Sequence, residues 1–332
     1  MNNLINSVGI LGIGSSLPDK VLTNEDLEKM VDTSDEWITQ RTGISQRRIL
    51  EEDEPGYTLG VKAAVSALED AGITAEDVDL IIVTTETPDY MSPSTSCIIQ
   101  REIGASKAAA FDLNAACTGF MYGMTVAQQF IKTGYYKYAL VVGVEALSKA
   151  TDWEDRNTCI LFGDGAGAAV IGAVEDGYGI LSTYLGADGS MGHNITIPGL
   201  HSDPVEDAKR IHGKKHTIWM DGGAVLKFAV KIMESATNEA LDRCGLSIED
   251  INLVVPHQAN IRIVEGAAKR LGVSRDKVMI SLDKLGNISS ASIPVALNQA
   301  IKEGKLSKGD NVVLVGFGGG LTWGSTVIKW AK

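Results

Sequence analysis

Strand-like runs at Leu80–Thr84, Ala108–Leu113, Ala139–Val144 and Ala168–Ala173 alternate with amphipathic stretches of helical length at Tyr57–Ala71 and Thr118–Lys132. Several of the runs are apolar at nearly every position, as strands are when helices cover both faces of a sheet. The pattern predicts a three-layer α/β arrangement. It is stated twice. Ala67–Ile82 (ALEDAGITAEDVDLII) matches Ala240–Val255 (ALDRCGLSIEDINLVV) at an offset of 173, and the same offset joins Tyr138–Val144 to Asn311–Phe317. Each copy of the first pair reads as a helix end stopped by Gly72 or Gly245. A Thr74 or Ser247 cap follows, with an acid three residues on, and then an apolar strand. Between the two pairs the register slips by three, so that Gln129, Ile131, Lys132 and Gly134 match Gln299, Ile301, Lys302 and Gly304 at an offset of 170.

The duplication predicts two halves, residues 1–175 and 176–332, packed as one body through shared helices with no flexible linker. The segment 188–221 has no counterpart and carries most of the histidines, which marks it as a long excursion of the kind that covers sites. Glycine is abundant, 36 of 332 residues, and at this length a chain buries a sizeable core without disulfides or metal. Thirty Lys and Arg against 42 Asp and Glu give a net charge of −12, which argues against nucleic acid or an anionic membrane as the main partner. No apolar run approaches the roughly 20 residues of a membrane span. Four scattered cysteines and no secretory leader point to a reducing, cytoplasmic setting.

Cys117 follows a strand and opens a helix whose start is small, Cys117-Thr118-Gly119. There the helix N-terminus favours anions and is expected to lower the thiol pKa. The other cysteines, Cys97, Cys159 and Cys244, read as ordinary packed residues. The local offset of 170 sets Asn287 opposite Cys117 in the second copy, so two polar residues should face one pocket. His257 follows the strand Leu253–Val255 and Pro256, at the carboxyl end where α/β sheets place ligands. Thiol, imidazole and carboxamide suit covalent acyl transfer from a thioester followed by carbon–carbon bond formation. Gly316-Phe317-Gly318-Gly319-Gly320 offers backbone N–H groups that can approach an oxyanion closely.

These segments, with Thr33–Ile38, Arg41–Ile44, Leu113–Phe120, Phe162–Ala168, Pro256–Asn260, Gly286–Ser290 and Gly316–Trp323, resemble the beta-ketoacyl-[acyl carrier protein] synthase III family over nearly the whole chain. The resemblance implies a thiolase-like, duplicated five-layer α-β-α-β-α fold. It also implies decarboxylative condensation of an acyl-coenzyme A starter with malonyl-acyl carrier protein, without a metal or other cofactor, by a homodimer. It makes Cys117 the nucleophile, His257 and Asn287 the decarboxylation pair, and the amides of Cys117 and Gly319 the oxyanion hole. Trp37 and Arg156 would sandwich the adenine of coenzyme A, with Arg41 near its phosphates and Asn260 also among the substrate contacts. Lys227, Arg262, Lys269 and Arg270 would form a basic ridge that docks the acidic carrier protein.

One departure concerns the acyl pocket. Where many relatives carry a bulky aromatic that reaches across the dimer, this chain has Ser92, preceded by Met91, so starter length stays open. A thiolase would need a second late cysteine, and elongating synthases usually carry a histidine in place of Asn287. A starter-unit transferase of secondary metabolism is the nearest rival. Gly12-Ile13-Gly14-Ser15-Ser16-Leu17 lacks the last glycine of a dinucleotide-binding loop. His212 and His216 have metal-ligand spacing but no nearby acidic third ligand.

Overall fold

A computed structural model of the chain describes residues 4–199 and 216–332. Two sheets form its framework. The first runs β1 (Val8–Ser16), β5 (Asp164–Ala173), β4 (Ala139–Ala146), β2 (Leu80–Thr84), β3 (Ala109–Leu113) from edge to edge. The second runs β6 (Gly179–Ala187), β9 (Thr322–Lys329), β8 (Asn311–Gly318), β7 (Leu253–Pro256). Each has parallel pairing at one side, β3-β2-β4 and β7-β8, and antiparallel pairing at the other, β4-β5-β1 and β8-β9-β6. Where the first sheet has β3, the second has a single parallel bridge, Val254 to Val278. The second sheet therefore repeats the first, less one regular edge strand.

Side-chain alternation along the strands builds the layers. Ile81, Val83, Leu140 and Val142 face outward onto α2 (Tyr57–Ala71), while Ile82 and Val141 face inward onto α4 (Gly119–Lys132). In the second sheet Leu314 faces inward to α7 (Ser292–Lys302), and Val313 and Val315 face outward to α5 (Gly222–Cys244) and α6 (Ile261–Leu271). The central helices α4 and α7 share one core through Phe120, Met124, Ile293 and Leu297. The result is a five-layer α-β-α-β-α fold, in which central strands such as β2 and β4, covered on both sides, leave no polar face to alternate.

The punctuation predicted from sequence is present. Gly72 and Gly245 end their helices with φ of 67° and 68°, and the Thr74–Asp77 and Ser247–Asp250 capping boxes each start a single 3₁₀ turn. Strand β5 begins at Asp164, earlier than its apolar part, because the glycines of Phe162–Ala168 lie within the strand. Gly12 and Gly14 belong to β1 and are not a phosphate loop. A Cβ at either would come within 2.4 Å of α2 backbone atoms, so they let the helix sit on the strand.

The site register departs from the expectation. Helices α4 and α7 begin at Gly119 and Ser292, 173 residues apart, each after a 3₁₀ turn, Ala116–Thr118 and Ser289–Ala291. Both turns open on a non-glycine residue with positive φ, Ala116 at 49° and Ser289 at 41°. The slip of three arises because α4 has 14 residues and α7 has 11. Cys117 thus corresponds to Ser290, and Asn287 comes from the chain just before the second turn.

Substituting Gly14→Ala should cost about 1–3 kcal/mol through backbone overlap with α2. Gly189→Ala, where a Cβ meets nothing within 4 Å, should be near neutral. Urea or thermal melts of the two variants check the difference.

Candidate active site

A cavity of about 760 Å³ opens where strand ends of the two halves converge. Cys117, His257, Asn287, Gly319 and Glu86 all line it. Glu86 follows β2, Cys117 lies shortly after β3, His257 directly follows β7, and Gly319 directly follows β8. These four come from carboxyl ends, where α/β sheets hold ligands, and Asn287 joins them from the chain before the second turn.

Glycines let these segments close up. A Cβ at Gly318 would lie 2.6 Å from the Cys117 backbone nitrogen, so the glycine loop can lie directly against the thiol-bearing turn. Gly143 within β4 and Gly316 within β8, 173 residues apart, accommodate the Ser290 carbonyl and the His257 side chain respectively.

The thiol environment reverses the expectation from helix position. Burial, then the Glu86 carboxylate, hold the Cys117 pKa well above its ordinary value. Its Sγ lies 4.0 Å from Glu86 Oε1. The helix N-terminus is present, but desolvation and a like charge outweigh it.

His257 is buried, its ring edge-on to Phe317 with centroids 5.5 Å apart. Its Nδ1 lies 2.7 Å from Ser292 Oγ, and that same oxygen accepts the Gln258 N–H at 3.4 Å. With Ser292 Oγ donating its hydrogen to Nδ1, the imidazole proton sits on Nε2 and is offered to the cavity. Nε2 is buried without a protein partner among the described residues. Burial pushes the His257 pKa down to about 3, so the ring stays neutral. Asn287 is oriented similarly. Its Oδ1 accepts the Ser289 N–H at 2.9 Å, which leaves Nδ2 as the free donor end. Two uncharged N–H donors can therefore serve one substrate oxygen.

Two carboxyl groups missed from sequence lie behind the thiol. Glu145 sits in the otherwise apolar β4 and accepts hydrogen bonds from Thr87 Oγ1 at 2.8 Å, the Glu86 N–H at 3.0 Å and Ser290 Oγ at 2.7 Å. Burial, and then the Glu86 charge, push its pKa up to about 8. Glu86 accepts from Ser289 Oγ at 2.6 Å, and burial raises its pKa too. A charge inside the run ALVVGVEA was the available signal for Glu145. Glu86 had only its strand-end position.

Trp37, Arg41, Asn260 and Arg262 line the outer part of the cavity. Trp37 lies on α1 (Asp35–Thr42), capped by Ser34 and ended by Gly43, where a Cβ would strike Ile261 of α6. The guanidinium carbons of Arg156 and Arg41 lie 4.5 and 4.6 Å from the Trp37 ring centre. Arg156 rests directly on the indole, so a base between them requires it to move outward by one ring thickness. Asn260 caps α6 through Oδ1, and Arg262 donates to the Gln40 carbonyl at 3.2 Å.

Lys227, Lys269 and Arg270 are exposed, with Arg270 paired to Glu234. Met91 is 75% exposed, and neither it nor Ser92 lines the cavity of its own chain. The described ends of the excursion pair as Ile195–Thr196 with Trp219–Met220 and form one wall of the cavity, as a cover would. His212 lies outside the described residues, and His216 is exposed. Among the described residues no group of three or more His, Cys, Asp or Glu could hold a metal, and no helix is long and apolar enough to cross a membrane.

Comparison with known proteins places this arrangement. Residues 111–189 match the family described as 3-Oxoacyl-[acyl-carrier-protein (ACP)] synthase III, and residues 241–330 match its C-terminal counterpart. The chain is 56% identical over 326 residues to the beta-ketoacyl-[acyl-carrier-protein] synthase III of Caldanaerobacter subterraneus subsp. tengcongensis, covering 98% of each. It superposes on the Thermus thermophilus synthase III with a TM-score of 0.93 at 45% identity, covering 97% of this chain and 99% of that one. The priming beta-ketosynthase of the R1128 polyketide pathway gives a TM-score of 0.91 at 34% identity, covering 100% and 98%. The chain is a condensing acyltransferase of thiolase-like fold. It belongs to the beta-ketoacyl-[acyl-carrier-protein] synthase III family, whose members initiate fatty acid synthesis.

The raised pKa of Glu145 has a consequence for stability. A buried acid that keeps its proton stabilises the fold fully below its ordinary value of 4.5 and loses that contribution as pH rises through about 8. Glu145→Gln removes this titration. The melting temperature of the variant relative to the unsubstituted protein should therefore rise from pH 5 to about pH 8 and level off above it, as scanning calorimetry from pH 5 to pH 9 checks.

Proposed function

We propose that this chain makes a beta-ketoacyl thioester on acyl carrier protein, with Cys117, His257 and Asn287 carrying the chemistry. What supports the assignment is their shared cavity, where two uncharged nitrogen side chains can each offer a hydrogen to one substrate oxygen. Cys117 sulfur bonds to the carbonyl carbon of an acyl-coenzyme A, and coenzyme A leaves as its thiol. The malonyl thioester then loses CO2. The electron pair left behind resides on the thioester oxygen, held by His257 Nε2–H and Asn287 Nδ2–H. The resulting carbon nucleophile attacks the acyl-Cys117 carbonyl, whose oxyanion rests on the amides of Cys117 and Gly319, and collapse expels the sulfur as a thiolate that takes up one proton from solvent. The electrons for the new bond come from the lost carboxylate, so neither metal nor redox cofactor is called for.

The half with residues 1–175 supplies the thiol, and the half with 176–332 supplies the two donors. Trp37, Arg41, Arg156 and Asn260 receive the coenzyme A nucleotide. Arg262, at the rim, and the exposed Lys227, Lys269 and Arg270 receive the carrier protein. Met91 and Ser92, turned away from their own cavity, reach an acyl pocket only across a homodimer interface. Ser92 in place of a bulky side chain leaves room for added methylenes, each worth about 0.8 kcal/mol when buried. A cytoplasmic location fits the free thiol chemistry.

Mixing the protein with acetyl- and isobutyryl-coenzyme A should give a mass adduct on Cys117, and a series of chain lengths reports the starter preference. No adduct with any acyl donor overturns the reading. Cys117→Ala should abolish condensation but retain malonyl decarboxylation, whereas His257→Ala should lose both. Release of CO2 measured against product formation separates the two roles.

A further inference from the structure

The proton of Cys117 has to go somewhere when the sulfur is acylated, and the site restricts the choice. His257, in the donor role proposed for it above, carries its hydrogen on Nε2 and has its Nδ1 engaged with Ser292 Oγ at 2.7 Å. Asn287 Oδ1 is occupied by the Ser289 N–H. The Ser289 hydroxyl touches both Cys117 and Glu86 and gives its own hydrogen to Glu86 at 2.6 Å, so a proton it accepted would pass on to that carboxylate. What remains is Glu86 Oε1 itself, 4.0 Å from Sγ and partly open to the cavity.

We propose that Glu86 is a further catalytic residue, the base that takes the Cys117 thiol proton during acylation and returns it to the departing coenzyme A sulfur. This rests on the reading of Cys117 as the acylated thiol. As the S–C bond to the acyl carbon forms, the S–H proton moves to Glu86 Oε1. As the bond from that carbon to the coenzyme A sulfur breaks, the same proton moves to the leaving thiolate. The step conserves atoms and charge, and it leaves Glu86 ready for the next turnover.

The surroundings match the task. Facing Glu86 are Glu145 from β4, Cys117 from the turn before α4, and Ser289 and Ser290 from the turn before α7. His257 shares the cavity, and Thr85 and Thr87 flank Glu86 on its own segment. No Lys or Arg among the described residues hydrogen-bonds or ion-pairs with either carboxyl. A carboxylate without a cation beside it, and with a second carboxyl behind it, has a raised proton affinity, which brings it toward that of a thiol. Glu145, held by several donors in the strand interior, maintains that environment without touching the sulfur.

The test follows acylation of Cys117 by acetyl-coenzyme A in rapid-quench mass spectrometry from pH 6.5 to 9.5, for the unsubstituted protein, Glu86→Gln and Glu86→Ala. Alkylation by iodoacetamide to one equivalent at Cys117 checks that the variant site is formed. Both variants should acylate about tenfold or more slowly at pH 7. The deficit should shrink to within about threefold at pH 9.5, where hydroxide replaces the missing base. Acylation of Glu86→Gln at or above the unsubstituted rate at pH 7, or an equal deficit at both ends of the range, overturns the proposal. If the unsubstituted protein forms no adduct on Cys117, the functional reading itself fails, and that result is distinct from either outcome for Glu86.

Discussion

Everything at the site depends on two tight turns being pressed together at the centre of the fold. The turn bearing Cys117 and the turn bearing Ser290 each precede a central helix, and each begins with a side-chain-bearing residue held at positive φ. Such residues cost on the order of 1–3 kcal/mol each and persist only when packing over-determines them. Here the packing is nearly backbone on backbone. A Cβ at Gly143 would lie 2.7 Å from the Ser290 carbonyl oxygen, and one at Gly119 would lie 2.9 Å from Thr84 Cβ. The shared core around Phe120, Met124, Ile293 and Leu297 supplies the rigidity.

Electrostatically the interior favours uncharged groups. Desolvation drives the imidazole toward its neutral form, keeps a proton on Glu145 at neutral pH, and opposes spontaneous thiolate formation. A neutral donor pair suits an oxygen whose negative charge appears only in the transition state, since a permanent cation would also bind the unreacted carboxylate tightly. With standing ionisation of the thiol disfavoured, the proposed proton acceptor beside it takes on that task.

Much of this was legible before any coordinates. The repeated segments gave the doubled sheet, because helix stops, capping boxes and buried strands leave strong local marks at Gly72, Thr74 and Leu80–Thr84. Cys117, His257 and Asn287 stood out because each follows a strand or sits in a marked loop. The register between the copies was misread by three, since helices of unequal length hide their offset in the middle of an element. Glu86 and Glu145 escaped because their significance lies in contacts between segments, Glu145 with Ser290 and Glu86 with Ser289, which no local pattern encodes. The direction of the thiol pKa was misjudged for the same reason: the helix end is written in the sequence, but the depth of burial is not.

Sandwiching α4 and α7 between both sheets also rules out one style of working. Swinging either half aside would tear open the apolar interior that the two hold in common among the described residues. On the proposed reading a long thioester arm threads inward past that frame, and Arg156, lying across Trp37, is the latch it has to lift.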